Sequence, residues 1–382
     1  MERTAAMLLS LLRAAILGEP RPVTLTESEA GALLALARHH DLAHLLCLPL
    51  EAAGTLPTGG WGEEWRRARL VAVSRSARLS AAADRIATAL DGAGIPYVPL
   101  KGAVFSHYYP APWYRTSCDL DILVREEDLE RAVTLIEERE GARRMRRTYH
   151  DVSLHLPGGT HVELHFSLCE GLSPMDRVLA RAWEHARPVS EGACRHAFDE
   201  AFLAFYAIAH TAYHFRNGGC GVRSLLDLYL LKAKGVLDAP TLGDLLSEGG
   251  LLSFAEAAVR LSDAWFGAAL HTGLTLGMSA YILRSGTYGR LDNRVAIATA
   301  GRGRLGYLLR RVFLPPRTLS RYYPRLARHP WLYPYYTLRR WLEILFTRRR
   351  RRHAVREIFH STTLREKTSA PLQTLCHELG LS

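Results

Sequence analysis

Asp119 and Asp121 lie in the run Cys118-Asp-Leu-Asp-Ile-Leu-Val124, where acidic and aliphatic residues alternate. A strand repeats its side-chain direction every two residues. Both carboxylates therefore project from one face, and Leu120, Ile122 and Val124 from the other. Acids on adjacent same-face positions repel each other, and a divalent cation is the common reason for keeping them. Ahead of them, Val98-Pro-Leu-Lys-Gly-Ala103 is a short apolar run ending in Lys101 and Gly102. Behind them, His161-Val-Glu-Leu-His-Phe166 is a second alternating strand that carries Glu163. A glycine turn, an Asp-x-Asp strand and a later strand acid, in that order, make a phosphate-plus-metal site.

The chemistry such a site suits is attack on an α-phosphate with loss of pyrophosphate. Two Mg²⁺ ions can hold the incoming and leaving oxygens in line. Two or three carboxylates suffice for magnesium, because phosphates and waters complete its shell, and Mn²⁺ is an alternative ion. Asp119, Asp121 and Glu163 are the candidate ligands and catalytic acids, with Glu163 also placed to accept the acceptor's proton. Gly102 lets backbone N–H groups approach a phosphate closely. Lys101 and Arg115 are the natural triphosphate cations, and Ser117 offers a hydroxyl nearby. His161, Glu163 and His165 share a strand face, a pattern that also suits zinc, but no cysteine accompanies them and a positioning role for His165 ranks higher. His210 and His214 stand four apart on an expected helix without the glutamate of a His-Glu-x-x-His site, so packing or acceptor contact is expected. Arg223 and Asp227, also four apart, read most simply as a helix-surface ion pair, with contact to the nucleotide across a cleft as the alternative.

This order of motifs resembles the nucleotidyltransferase superfamily whose catalytic core is like that of DNA polymerase beta. It is most similar to a bacterial family of uncharacterised nucleotidyltransferases. The residues that carry the likeness are Leu100-Lys-Gly102, Arg115-Thr-Ser-Cys-Asp-Leu-Asp-Ile122 and Glu163-Leu-His165, within about residues 90–170. Two departures stand out: Ala103 occupies a position where the superfamily often has serine, and the segment from Gly102 to Asp119 is longer than in compact members. The resemblance implies an NTP co-substrate, a divalent metal, and an acceptor that is a small molecule, a peptide or protein side chain, or an RNA end.

The elements that must position these residues are legible in outline. Residues 1–85 read as helices, with Thr26-Glu-Ser-Glu29 as a helix start and Trp61 to Leu90 as one long helix stopped by Gly92-Ala-Gly-Ile-Pro96. Residues 86–197 read as β-α-β-α-β-β, the last two strands joined by a Pro157-Gly-Gly159 turn. Residues 198–382 are helical again. The expected class is α+β: a small mixed sheet with helices on one face, flanked by N- and C-terminal helical regions, with the active site in the cleft between the sheet and the helices after Asp199.

Composition agrees with a globular chain: 23% charged and 48% hydrophobic over 382 residues. No apolar stretch reaches the ~18 residues of a spanning helix. Ala5-Ala-Met-Leu-Leu-Ser-Leu-Leu12 resembles a signal core, but Arg13 interrupts it, and it reads as an amphipathic helix of a cytoplasmic protein. The six cysteines are scattered, as in a reducing compartment. Charge is uneven: residues 301–360 hold sixteen Arg against two Glu, a net of +14, where the whole chain is +11. Tyr322, Tyr323, Trp331, Tyr333, Tyr335, Tyr336 and Trp341 fall in the same segment, and Arg348 to Arg352 are consecutive. A polyanion surface is expected there, RNA or an anionic membrane.

The reading is an NTP-dependent nucleotidyltransferase with an unidentified acceptor. A non-catalytic nucleotide-binding module and a metal-dependent phosphohydrolase or nuclease are the alternatives.

Overall fold

The computed structural model describes residues 2–172, 174–287, 289–298, 309, 312–323, 325–346 and 366–381. Arg348 to Arg352 lie outside them.

Four helices open the chain: α1 (Glu2–Leu17), α2 (Glu27–His39), α3 (Ala43–Ala52) and the 33-residue α4 (Gly60–Gly92). A capping box starts α2: Thr26 Oγ1 accepts from the Glu29 N–H, and the Glu29 carboxylate accepts from the Thr26 N–H. Gly94, at φ 64°, lets the chain turn out of α4. The expected division at residue 85 falls inside this helix, which runs on unbroken to Gly92.

The sheet follows. Its strands are β1 (Tyr97–Pro99), β2 (Asp119–Val124), β3 (Arg143–Arg147), β4 (Asp151–His155) and β5 (His161–His165). The short α5 (Gly102–Phe105) lies between β1 and β2, and α6 (Leu129–Glu140) between β2 and β3. The strand order is β1-β2-β5-β4-β3. All pairings are antiparallel except the central one, where β2 and β5 run parallel with Asp121 opposite Glu163. Gly158 and Gly159, at φ 86° and 84°, make the β4–β5 turn.

The period of two sorts the sheet's faces. Leu120, Ile122, Val124, Val152, Leu154, Val162 and Leu164 pack against Ile86 and Leu90 of α4 and Leu129, Val133 and Ile136 of α6. Each such side chain, fully buried, stabilises the fold by about 1.5–3 kcal/mol. The opposite face carries Asp119, Asp121, His161, Glu163, His165 and, from β4, Asp151. At the far end of that face, Leu123 joins a second and larger core.

The larger core belongs to α1–α3 together with α8 (Glu200–Arg216), α9 (Val222–Ala233), α10 (Leu242–Glu248), α11 (Leu252–Phe266) and α12 (Gly273–Ser285). Between the sheet and α8 come α7 (Met175–Leu179) and a two-strand ribbon, β6 (Ala186–Pro188) and β7 (His196–Phe198). Leu8, Leu11 and Leu12 of α1 meet Phe202, Phe215, Phe254 and Leu261 in one cluster. The two helical regions that the sequence presents as separate flanks therefore close into one body. The expectation of helices on one sheet face is correspondingly incomplete, because the acidic face meets this body.

Further on are α13 (Leu291–Ala298), α14 (Pro316–Tyr322), α15 (Arg325–Arg328), α16 (Tyr333–Phe346) and α17 (Glu366–Glu378). Leu314, Leu319, Leu326 and Tyr336 form a small separate core. Among the described residues, no helix is long and apolar enough to cross a membrane. The fold is α+β, with a small mixed sheet set on a helical body.

Candidate functional site

β2 and β5 bring the acids together because they pair in parallel and in register. Asp121, whose side chain is 1% exposed, sits at the centre. Its Oδ1 accepts from Lys101 Nζ at 2.8 Å and from His165 Nε2 at 3.0 Å. Its Oδ2 is buried and has no hydrogen-bond partner. Burial alone would raise this carboxyl's pKa, but Lys101 and His165 hold it well below the usual range. Burial works against the charge on Lys101 too, and Asp121 more than offsets it, holding the ammonium well above its ordinary pKa.

Glu163 lies beside this pair, its Oε2 3.6 Å from His165 Nε2. The His165 imidazole beside it lowers the Glu163 pKa although burial opposes it. Asp119, two residues before Asp121, accepts from Ser117 Oγ at 2.8 Å. Its own pKa is raised by burial and by the charge on Asp121. One donor atom each from Asp119, His161 and Glu163 lie within 4.8 Å of one another, and so do those from Asp121, Glu163 and His165. Each set joins two carboxylates to one imidazole, and the carboxylate oxygens, the orphaned Asp121 Oδ2 among them, suit a hard divalent cation. Each set holds only one imidazole, so oxygen donors predominate over nitrogen.

The Lys101–Gly102 turn is strained. Lys101 adopts φ 42° and ψ −110°, a region that costs a non-glycine residue about 1–3 kcal/mol. The strain goes with an ammonium held on Asp121. Gly102 has a reason beyond phosphate approach: a Cβ there would stand 2.9 Å from Ser117 Cβ and 3.4 Å from Arg115 Nη1. The glycine therefore lets Ser117 and Arg115 close over the turn. A cavity of about 260 Å³ opens beside these residues, lined by Gly102, Arg115, Ser117 and Asp119 and walled by Ser80 and Ala83 of α4.

The segment that delivers Asp119 is clamped by the helical body. Arg115 donates Nε and Nη2 to the two oxygens of Asp227, both at 2.9 Å. Tyr109 donates its hydroxyl to Asp227 Oδ1 at 2.7 Å. Thr116 Oγ1 donates to Asp41 Oδ2 at 2.7 Å, and Arg223 Nη1 donates to the Thr116 carbonyl at 2.7 Å. His44 Nε2 donates to the Tyr114 carbonyl at 2.9 Å. These contacts correct one expectation: Arg223 and Asp227 do not pair with each other along α9. Asp227 is buried and turns to Arg115, while Arg223 reaches Thr116 and Asp41. Arg115, expected as a phosphate cation, spends two of its nitrogens on Asp227 and keeps Nη1 toward Gly102.

α8 carries two of the expected histidines but lines no part of the cavity beside Gly102. His210 and His214 bring their Nε2 atoms to 3.1 Å, one donating to the other. Burial lowers both imidazoles' pKa values, that of His214 to about 4, so both are neutral near pH 7. His210 Nδ1 is buried without a hydrogen bond, 3.9 Å from Glu170 Oε1. Glu170 lies in the loop after β5, its N–H donated to Asp176 Oδ1 at 2.8 Å. Burial pushes its carboxyl up to about 7.

The expected residues Lys101, Gly102, Arg115, Ser117, Asp119, Asp121, Glu163 and His165 thus converge, with His210 and His214 across from them. Glu170, Tyr109 and Asp41 are absent from the expectation. Glu170 and Asp41 stand in loops where no periodicity marks them. Asp227 did carry a signal of burial: it is the lone acid in Leu225-Leu-Asp-Leu-Tyr-Leu-Leu231, and an acid inside an apolar run is rarely a surface residue.

Comparison with known families agrees with this geometry. The sequence profile of the family described as uncharacterised nucleotidyltransferase matches residues 26–267, well over half the chain. That span runs from the cap of α2 to the end of α11 and includes every residue of the cluster. No curated protein and no solved structure matches significantly.

Two outcomes follow from the clamp and from Glu170. Asp227→Ala leaves the buried Arg115 guanidinium unpaired and should destabilise the protein by about 3–5 kcal/mol in urea unfolding. A loss under about 1 kcal/mol would mean that the pair is not closed in solution. Glu170 binds its proton more tightly folded than unfolded, because its pKa rises from 4.5 to about 7. Its ionisation therefore removes stability as pH rises through that window. Glu170→Gln should stabilise the protein by on the order of 2–3 kcal/mol at about pH 8 and hardly at all near pH 4.5. Equal effects at both pH values would contradict the burial of this carboxyl.

Proposed function

The chain belongs to the family of uncharacterised nucleotidyltransferases, and we propose that it moves a nucleoside monophosphate from an NTP to an acceptor hydroxyl or amine with the help of Mg²⁺. One observation carries this reading. Asp121 keeps a buried oxygen without a partner while Glu163 stands opposite it in the strand register and Asp119 two residues away. A buried polar atom left unsatisfied costs about 1–3 kcal/mol, and a cation supplies the missing partner.

Asp119, Asp121 and Glu163 would hold the ion. When bound, magnesium neutralises the phosphate oxygens and aligns the attacking and leaving oxygens. Lys101, Arg115 Nη1 and Ser117 surround the Gly102 turn and supply donors for the triphosphate. In the reaction, the acceptor oxygen or nitrogen forms a bond to the α-phosphorus. The bond from that phosphorus to the β-phosphate oxygen breaks, and pyrophosphate leaves with its electron pair. The acceptor's proton goes to a carboxylate. His165 lowers the proton affinity of Glu163, which makes it the better ligand. The acceptor would meet the neutral imidazoles of His210 and His214 on α8. Its class stays open among a small molecule, a peptide or protein side chain and an RNA end.

The test uses each of the four NTPs with an α- or a γ-label, Mg²⁺ and a cell lysate as acceptor source. Transfer predicts α-label on an acceptor and γ-label in pyrophosphate. Asp119→Ala and Asp121→Asn, each folded by its melting curve, should lower the rate by about a thousandfold. Release of orthophosphate alone would point to a phosphohydrolase. Transfer within a few-fold of the parent in Asp119→Ala would remove these acids from the site.

A further inference from the structure

α16 presents two different apolar faces. Tyr336 is buried on one, against Leu314, Leu319 and Leu326. Tyr333 fastens that side by donating its hydroxyl to the Leu314 carbonyl at 2.9 Å, and Trp341 Nε1 donates to the Val312 carbonyl at 2.9 Å. On the other side, Tyr335, Leu338, Leu342 and Phe346 recur at three- and four-residue steps, so they line one stripe. They are 57%, 55%, 44% and 86% exposed. Trp331, just before the helix, is 74% exposed. Side chains of this size are normally covered, and a contiguous exposed row marks an interaction surface.

We propose that this stripe seats in an anionic lipid surface, with α16 lying in the plane of the headgroups. Charge complementarity selects that occupant. The stripe lies in the 301–360 segment, whose sixteen Arg face only two Glu. Arg325 and Arg328 are exposed nearby, and Arg339 is exposed on the helix itself. A protein partner's interface core would be poor in charge. A single-stranded nucleic acid would use the arginines and stack its bases on flat rings, but Leu338 and Leu342 offer it nothing. A lipid surface uses all three kinds of residue: aliphatic and phenyl groups in the acyl boundary, Trp and Tyr at headgroup depth, Arg on the phosphates. This placement does not depend on the nucleotidyl-transfer reading, since the stripe lies outside the residues of the acidic cluster.

The experiment floats the full chain with vesicles of phosphatidylcholine, alone or with about a third phosphatidylglycerol. Binding is expected to the anionic vesicles only. It should weaken at least about tenfold between roughly 0.05 and 0.5 M salt. The double variant Leu342→Glu, Phe346→Glu should lose at least about tenfold in affinity with an unchanged melting curve, because both side chains are exposed. A uridine oligonucleotide should not displace the protein from the vesicles. Three results would each overturn the proposal: no binding to anionic vesicles at the lowest salt, equal binding by the double variant, or preferential capture by the oligonucleotide.

Discussion

A carboxylate buried at the middle of a sheet keeps its charge only if a cation and hydrogen-bond donors come to it, and Asp121 is such a carboxylate. Lys101 and His165 both reach its Oδ1. Removing one partner of a buried charge pair typically costs about 3–5 kcal/mol, so the groups that deliver those partners are under strong constraint. Lys101 accepts a strained backbone to place its ammonium. Gly102 stays bare so that Ser117 and Arg115 can close over the turn. The parallel pairing of β2 with β5 puts His165 and Glu163 beside the acid instead of on the far face. Only Oδ2 is left over, and that single atom gives the cluster its capacity for a further cation.

The same constraint explains why sheet and helices are not independent. The loop before β2 sets where Asp119 and Asp121 begin, and it is held by Asp227 from α9, His44 from α3 and Asp41 from the turn between α2 and α3. Burying the Arg115–Asp227 pair costs desolvation that only good geometry offsets, and the bidentate contact with a tyrosine hydroxyl on the same oxygen provides it. The carboxylates of β2 and β5 are thus set in place by contacts from the helical body. The two imidazoles of α8 are neutral near pH 7, and burial raises the Glu170 carboxyl to about 7. The negative charge is left concentrated on the acids where a metal would sit.

Much of this is local and therefore legible in the chain. The two-residue period of Asp119-Leu-Asp-Ile-Leu-Val124 declares one acidic and one apolar face before any coordinates exist. The glycine turn, the β4–β5 hairpin and the long α4 are written in neighbouring residues too. What stays hidden is pairing at a distance. Arg115 and Asp227 are 112 residues apart, and helical spacing on α9 points instead to Arg223. Likewise α1 and α11 share a core, although one opens the chain and the other follows the sheet. The basic segment declares its charge through composition, but which side of α16 faces water depends on a small core that composition does not reveal.

The most direct measurement is Mn²⁺ binding, read by the loss of free-ion electron paramagnetic resonance signal, in the parent and in Asp121→Asn. It needs neither acceptor nor turnover. A cation site built on the free oxygen of Asp121 predicts saturable binding by the parent and at least about tenfold weaker binding by the variant, with both proteins folded. Equal binding by the two proteins, or none by the parent even with an NTP present, would contradict it.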